Sequence, residues 1–179
     1  MKIYIPAWQN GTLQPVEKLE VHKLGLLHKA VSVFVFYKGQ LLIQQRAMSK
    51  YHSPGLWANT CCTHPEWDED DFVCAHRRLE EELGMHHMPL LPAGKLEYRA
   101  DVGNDLVEHE VVQTFVALCQ QEPTISPNPD EVTSYRWVDP ITLERLIATS
   151  PDQYTEWLKI YFRDHFGALF AKGFKEAVT

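Results

Sequence analysis

The hydrophobic and polar positions of the first half of the chain predict strands before helices. Residues 31–37 form a run of β-branched and aromatic side chains, and a second segment, 40–45, follows Lys38-Gly39. Two such segments that are separated by a glycine-containing pair are typical of a β-hairpin. We therefore expect the domain to open with two antiparallel strands.

The pattern changes to helical spacing after residue 70. Phe72, Leu79 and Leu83 recur at the spacing of one helix face. Carboxylates at 68–71 precede them, where the helix dipole favours negative charge. Gly84 then offers a C-terminal cap, so these positions predict a helix that ends there.

Two further strands are predicted in the second half. Residues 107–116 are rich in β-branched side chains, and residues 135–138 precede the turn signal Asp139-Pro140. Together with the opening hairpin they predict a sheet of several strands.

A final helix is predicted from Ser150-Pro151, which supplies a cap and a first-turn proline. One face of this helix would carry Trp157, Tyr161 and Leu169. Strands that are mixed with at least two long helices predict an α/β or α+β sandwich.

Length and composition favour one folded domain. The chain has 179 residues, 45% hydrophobic and 23% charged, without internal repeats or low-complexity tracts. We expect a single domain over residues 1–179. The net charge of −7 argues against a nucleic-acid partner, because nucleic-acid surfaces need clustered Lys and Arg. An anionic substrate would need a locally basic pocket.

Neither a membrane span nor a secretory segment is predicted. The apolar runs are shorter than the roughly 20 residues of a spanning helix. Residues 1–10 lack the apolar stretch of a signal peptide. We expect a cytoplasmic protein without a membrane partner, and therefore free thiols at Cys61, Cys62, Cys74 and Cys119.

Three adjacent glutamates, residues 80–82, fall in the last turn of the predicted helix, where the helix dipole disfavours negative charge. A solvated acidic face is the ordinary explanation of such a run. However, the segment 77–85, Arg-Arg-Leu-Glu-Glu-Glu-Leu-Gly-Met, with Glu69 eight residues before its start, resembles the Nudix box. The resemblance implies a Nudix-type mixed β-sheet sandwiched between helices, with carboxylates that hold a divalent cation against a diphosphate.

Two positions depart from the Nudix hydrolase pattern. Arg78 stands where a glutamate is expected, and Thr63 stands where the opening glycine belongs. These departures argue against diphosphate hydrolysis. The retained Glu81-Glu82 pair nevertheless keeps a hydrolase of nucleoside or prenyl diphosphates as the alternative.

The segment 54–65, Pro-Gly-Leu-Trp-Ala-Asn-Thr-Cys-Cys-Thr-His-Pro, narrows the resemblance. It resembles type I isopentenyl-diphosphate isomerases, whose motif carries a cysteine two residues before a metal-binding histidine. Cys62 and His64 occupy those places, and Cys61 is an extra neighbour without a family role. The resemblance implies that isopentenyl diphosphate and dimethylallyl diphosphate are interconverted through a tertiary carbocation, without flavin. We expect a monomer with this small-molecule substrate.

Glu108 and Glu110 form a third match. Side chains two residues apart on a strand project to the same face, roughly 6.5 Å apart, so both can reach one ion. Two carboxylates on an exposed face are the alternative. By resemblance, one divalent metal, Mn²⁺, Mg²⁺ or Zn²⁺, is bound by His22, His28, His64, Glu108 and Glu110. A second ion, diphosphate-bound Mg²⁺, is implied at Glu82.

The remaining site residues are also implied by the resemblance. Basic positions of the diphosphate pocket are matched by Lys18, Arg46, Lys50, Arg77 and Arg78. Such a cluster lets an acidic protein bind a multiply charged substrate.

A proton donor and acceptor pair is implied at Cys62 and Glu110, on opposite sides of the allylic unit. Tyr98 would hydrogen-bond or relay protons beside the glutamate. Trp157 would offer its π-face to the carbocation, and core packing is its ordinary role.

A non-catalytic module is a further alternative, in which Cys61, Cys62, His64 and Cys74 would hold a structural zinc ion. Adjacent cysteines do not easily supply two tetrahedral ligands, so the spacing disfavours this reading. The other histidines, His52, His76, His86, His87 and His165, have the pattern of ordinary surface or core residues.

Overall fold

A mixed sheet of nine strands is the centre of the structure, a computed structural model that describes residues 2–165 and 167. The strands are β1 (Tyr4–Gln9), β2 (Thr12–Glu17), β3 (His28–Tyr37), β4 (Gln40–Arg46), β5 (Trp57–Ala58), β6 (Cys61–Thr63), β7 (Leu90–Asp101), β8 (Val107–Cys119) and β9 (Val132–Val138). Strand β3 is parallel to β8 and antiparallel to β1, β4 and β6. It therefore has neighbours from both halves of the chain.

Helices cover both faces of this sheet. They are α1 (Lys18–Leu24), α2 (Asp71–Leu83), α3 (Pro140–Thr149) and α4 (Glu156–Asp164). Helix α2 packs its Leu79 on the face that carries Val31 and Val33, and α4 packs Tyr161 on the opposite face against Phe34. The predicted α+β sandwich, with its sheet between helices, is confirmed.

The predicted hairpin is confirmed as β3 and β4. Lys38 has φ +49° and Gly39 has φ +73°, the positive values that a two-residue turn between twisted strands requires. Alternate residues of β3 fall in the two separate core clusters. This is why residues 31–37 are apolar almost without interruption.

The predicted helix that ends at Gly84 is also confirmed. The Asp70 side chain accepts hydrogen bonds from the amides of Phe72 and Val73, at 2.8 and 3.3 Å, and so caps the start of α2. At its end, Gly84 adopts φ +62°.

We expect Gly84→Ala to destabilise the fold by about 1–3 kcal/mol, because a side chain is strained at this φ. In addition, a Cβ at residue 84 would lie 2.7 Å from the backbone oxygen of Ser126. Urea unfolding measures the loss. Gly11→Ala is the matched control, since its φ is +77° with no atom within 4 Å of the new Cβ. Equal losses in the two variants would exclude a steric contribution at residue 84.

The predicted start of the last helix is wrong. Pro151–Gln153 forms a single 3₁₀ turn, and Tyr154 then pairs with Trp57 in a parallel bridge. The amide of Thr155 donates to the Trp57 carbonyl at 3.0 Å, so the chain stays extended until α4 begins at Glu156. Of the three residues predicted to share one face of this helix, Trp157 and Tyr161 are both buried, and Leu169 lies outside the described residues.

Every helix among the described residues is too short or too polar to cross a lipid bilayer.

Candidate active site

The sheet register brings polar side chains to one cavity of about 50 Å³. Parallel pairing of β3 and β8 sets His28 beside Glu110, and antiparallel pairing of β3 and β6 sets Ser32 beside Cys62. Because residues two apart on a strand share a face, Glu108 projects to the same side as Glu110. The volume is enough for only a few water molecules.

Four buried side chains with metal-ligand chemistry converge here. Potential ligand atoms of His22, His28, His64 and Glu108 all lie within 4.8 Å of one another. Oε2 of Glu108 is 3.1 Å from Nε2 of His22 and 3.5 Å from Nε2 of His28. Glu110 adjoins the group, since its Oε1 is 2.8 Å from Nε2 of His64. The structure thus brings together all five predicted ligands of the His/Glu site.

The donor atoms of this cluster fit a divalent cation. Nδ1 of His22 lies 2.6 Å from the Lys18 carbonyl oxygen, and Nδ1 of His28 lies 2.8 Å from that of Leu26. A carbonyl only accepts, so these Nδ1 atoms carry protons and a neutral ring directs its Nε2 lone pair into the cluster. Nε2 of His22 and Oε2 of Glu108 are both buried and face each other at 3.1 Å. Imidazole nitrogen with carboxylate oxygen is a typical divalent-metal set.

A proton on His28 offsets part of the negative charge of Glu108 and Glu110. Burial disfavours the charged form of His28, but hydrogen bonds to Glu108 and Glu110 prevail and raise its pKa to about 9. Burial likewise opposes ionisation of Glu108, yet hydrogen bonds from the histidines lower its pKa well below the ordinary value. A metal that binds here must therefore displace a proton.

Glu110 is held as an ionised carboxylate by its neighbours. Burial and the charge of Glu108 act to raise its pKa, but hydrogen bonds from His28 and His64 lower it overall. The Tyr98 hydroxyl donates to Oε2 of Glu110 at 2.5 Å, across directly paired positions of β7 and β8. Burial raises the pKa of Tyr98 well above its usual value, so this donor keeps its proton.

Cys62 lines the same cavity as a protonated thiol. Burial, with a contribution from Glu110, raises its pKa well above the usual value. The Ser32 hydroxyl donates to its Sγ at 3.2 Å and also hydrogen-bonds to the Tyr161 hydroxyl at 2.7 Å. Trp157 forms another part of the cavity wall. A protonated thiol, an ionised carboxylate and an aromatic ring therefore line one cavity.

Four of the five predicted cations line the cavity, and the fifth does not. Lys18, Arg46, Lys50 and Arg78 contribute to its wall. Arg77 instead pairs with Glu69 at 2.6 Å and lines a neighbouring groove. Its guanidinium is thus already engaged outside the cavity.

Carboxylates occupy the basic side of the cavity. Arg78 contacts Glu82 at 2.7 Å and Glu131 at 3.1 Å, and Lys50 pairs with Glu131. Glu82 also accepts a hydrogen bond from Gln44 at 2.8 Å. An anion that enters the cavity must therefore compete with Glu131 for Lys50 and Arg78.

The sequence analysis did not identify several residues of the site. His52 resembled an ordinary histidine, yet it lies in the cavity wall with Nε2 3.2 Å from Oε1 of Glu108. Glu131 gave no sequence signal. Tyr161 was predicted only as part of a helix face, although its position one turn after Trp157 could have marked it as a site residue.

The alternative zinc site of cysteines is not formed in the described residues. Cys61 and Cys74 belong to the core cluster under α2, whereas Cys62 packs against the cluster on the opposite face. Side chains on opposite faces of a sheet cannot share one ion. All four cysteines are free, as predicted.

Comparisons with known proteins agree on the family. A family model described as the NUDIX domain matches residues 26–158. The isopentenyl-diphosphate Delta-isomerase of Roseobacter denitrificans is 58% identical over 172 residues, 96% of this chain and 98% of that protein. The one from a Jannaschia species is 54% identical over 170 residues, 95% of this chain and 97% of that protein. A solved structure from Deinococcus radiodurans shares the fold, with a TM-score of 0.69, 16% identity, and coverage of 89% and 97% of the two chains.

Proposed function

This chain belongs to the Nudix family and, within it, to the isopentenyl-diphosphate Delta-isomerases, and from this membership we propose which side chains carry the reaction. The enzyme interconverts isopentenyl diphosphate and dimethylallyl diphosphate in isoprenoid biosynthesis. The family and the reaction predicted from the sequence are thereby confirmed.

The observation that carries the proposal is a neutral thiol and an ionised carboxylate that line one cavity. In one direction the Cys62 thiol donates a proton to an alkene carbon, and Glu110 accepts a proton from another carbon of the allylic unit. In the reverse direction the two groups exchange roles. One proton enters the substrate and one leaves it, so its composition is unchanged. The starting state returns when Glu110 releases its proton and the Cys62 thiolate regains one, by exchange with solvent.

Two surrounding side chains support the reaction: one stabilises the carbocation and the other orients the Glu110 carboxylate. Trp157 presents a π-face, which attracts a cation most strongly where water is excluded. Tyr98 orients Glu110 through the 2.5 Å hydrogen bond to Oε2. Its role is positioning the carboxylate that accepts the proton.

The basic wall holds the diphosphate. Four basic side chains line the cavity, those of Lys18, Arg46, Lys50 and Arg78. This local positive charge allows a chain of net charge −7 to bind an anion. Arg77 contributes through the adjoining groove, where Glu69 fixes its guanidinium. Buried Glu82 would hold Mg²⁺ against the diphosphate.

A divalent ion, Mn²⁺, Mg²⁺ or Zn²⁺, would be held by His22, His28, His64, Glu108 and Glu110, and would keep Glu110 ionised and fixed. No flavin is required for this acid–base chemistry.

We also propose a cytoplasmic monomer of one domain over residues 1–179, without nucleic-acid or membrane partners. Size-exclusion chromatography with light scattering tests the monomer.

The experiment that tests the function is proton NMR of isopentenyl diphosphate with the protein and Mg²⁺ in deuterated buffer. We expect dimethylallyl diphosphate that carries deuterium, because the group that protonates the substrate exchanges its own proton with the deuterated solvent. Release of phosphate or pyrophosphate would instead identify the Nudix hydrolase alternative. An unchanged substrate spectrum would contradict the isomerase.

His64→Ala is expected to lower the affinity for the tightly bound metal by more than about 100-fold, because it removes a ligand rather than a supporting contact. Elemental analysis of the purified protein measures the retained metal. His109→Ala is the matched control, since His109 lies between the two glutamates on β8 and contacts Glu97 at 3.5 Å instead. Wild-type metal content in His64→Ala would exclude His64 as a ligand.

A further inference from the structure

His52 contacts the metal-ligand cluster without being one of its four converging side chains. Its Nε2 is 3.2 Å from Oε1 of Glu108. The other oxygen, Oε2, is the one that faces His22 at 3.1 Å and His28 at 3.5 Å. The two oxygens of this carboxylate therefore face different partners.

The loop between β4 and β5 fixes the place of this imidazole. Arg46 donates from Nη2 to the backbone oxygen of His52 at 3.2 Å, and Ser53 follows with φ +48°. The ring packs edge-on against Tyr51 and Trp157, with centroid distances of 4.5 and 5.9 Å. Backbone and ring contacts together leave His52 little freedom to turn away from Glu108.

The His52 imidazole has the hydrogen-bonding capacity that this position needs, since its Nε2 lies 3.2 Å from Oε1 of Glu108. A neutral ring carries one N–H, and 3.2 Å lies at the long end of the usual N–H···O range. The Ser53 hydroxyl, 3.4 Å from Nδ1, can donate to that atom, which leaves the N–H on Nε2.

We propose that His52 is a positioning residue that holds Glu108 through Oε1, so that Oε2 stays directed at the histidine nitrogens and available to a divalent ion. Groups that bond to metal ligands from outside typically change metal affinity by 10–100-fold. The inference rests on the proposed metal site and adds a residue that is not itself a ligand.

A pair of substitutions tests this role. His52→Phe keeps a flat ring against Tyr51 and Trp157 but removes the donor, whereas His52→Gln restores an N–H at similar reach. We expect the Zn²⁺ affinity, measured by competition with a chromophoric chelator, to fall about 10–100-fold in His52→Phe and to stay within about threefold in His52→Gln. If His52→Phe does not fold, His52→Met supplies a second donor-free side chain.

Three outcomes would overturn the proposal. The first is an unchanged Zn²⁺ affinity in the donor-free variant. The second is the loss of one imidazole from the zinc coordination of His52→Gln in X-ray absorption, because His52 would then be a ligand. The third is wild-type protein that binds no Zn²⁺, which alone of the three would also overturn the proposed metal site. An unchanged imidazole count with weakened binding in His52→Phe supports the positioning role.

Discussion

Cys62→Ser is expected to lower kcat by about 10³-fold or more while the protein folds normally. General acid–base groups typically contribute 10²–10⁴-fold, and an alkene is such a poor base that the upper part of this range applies. Serine preserves the size of the side chain and its contact with Ser32, but its hydroxyl is a far weaker acid than a thiol. Because the substitution removes an interaction of the transition state, KM should change little.

The neighbouring cysteine provides the control for this experiment. Cys61→Ser changes the same atom type one residue away, but Cys61 projects into the core under α2 and does not line the cavity. We expect it to lose stability and to retain turnover. Wild-type rates in Cys62→Ser, measured by dimethylallyl diphosphate formation, would exclude the thiol from the proton transfer.

Local sequence signals predicted the elements that are long and strongly patterned. The hairpin of β3 and β4 and the helix α2 have continuous apolar periodicity and recognisable turn and cap residues. Strands β5 and β6 have two and three residues, too few for any period to be visible. Pro6 and Pro15, which oppose each other in β1 and β2, obscured both strands.

A contact between distant segments explains why the last helix begins later than predicted. Pro151 looked like the first turn of a helix, but the bridge between Tyr154 and Trp57 keeps the chain extended. No local pattern around residue 154 contains that information. The same limit applies to helix α1, whose seven residues depend on capping by the Glu17 side chain.

The site residues also fall into those that a local motif identifies and those that only the fold brings together. Cys62 and His64 were recognisable because they lie in one short motif, and Glu108 and Glu110 because they are two apart on a strand. His52 approaches Glu108 across 56 positions of sequence, and only the folded loop brings it there. Arg77 shows the converse, since its motif position was recognised while its pairing with Glu69 was not.

Glu110→Gln is expected to lower kcat by about 10³–10⁴-fold, even when the divalent metal is supplied at saturation. The amide is nearly isosteric and its oxygen can still accept from Tyr98, so the variant should fold, but it cannot take a proton from carbon. Tyr98→Phe is a milder variant for comparison, because it removes the 2.5 Å hydrogen bond and leaves the carboxylate in place. We expect a smaller loss there, about 10–100-fold.

Metal content separates the two roles of Glu110. If the carboxylate served only to hold the ion, saturating metal would restore Glu110→Gln to within tenfold of the wild-type rate, and the proton-acceptor role would be wrong. If it accepts the proton, a metal-loaded Glu110→Gln remains inactive, because the amide cannot take a proton from carbon. Glu110→Asp, which keeps a shorter carboxylate, should then recover part of the activity that the amide cannot.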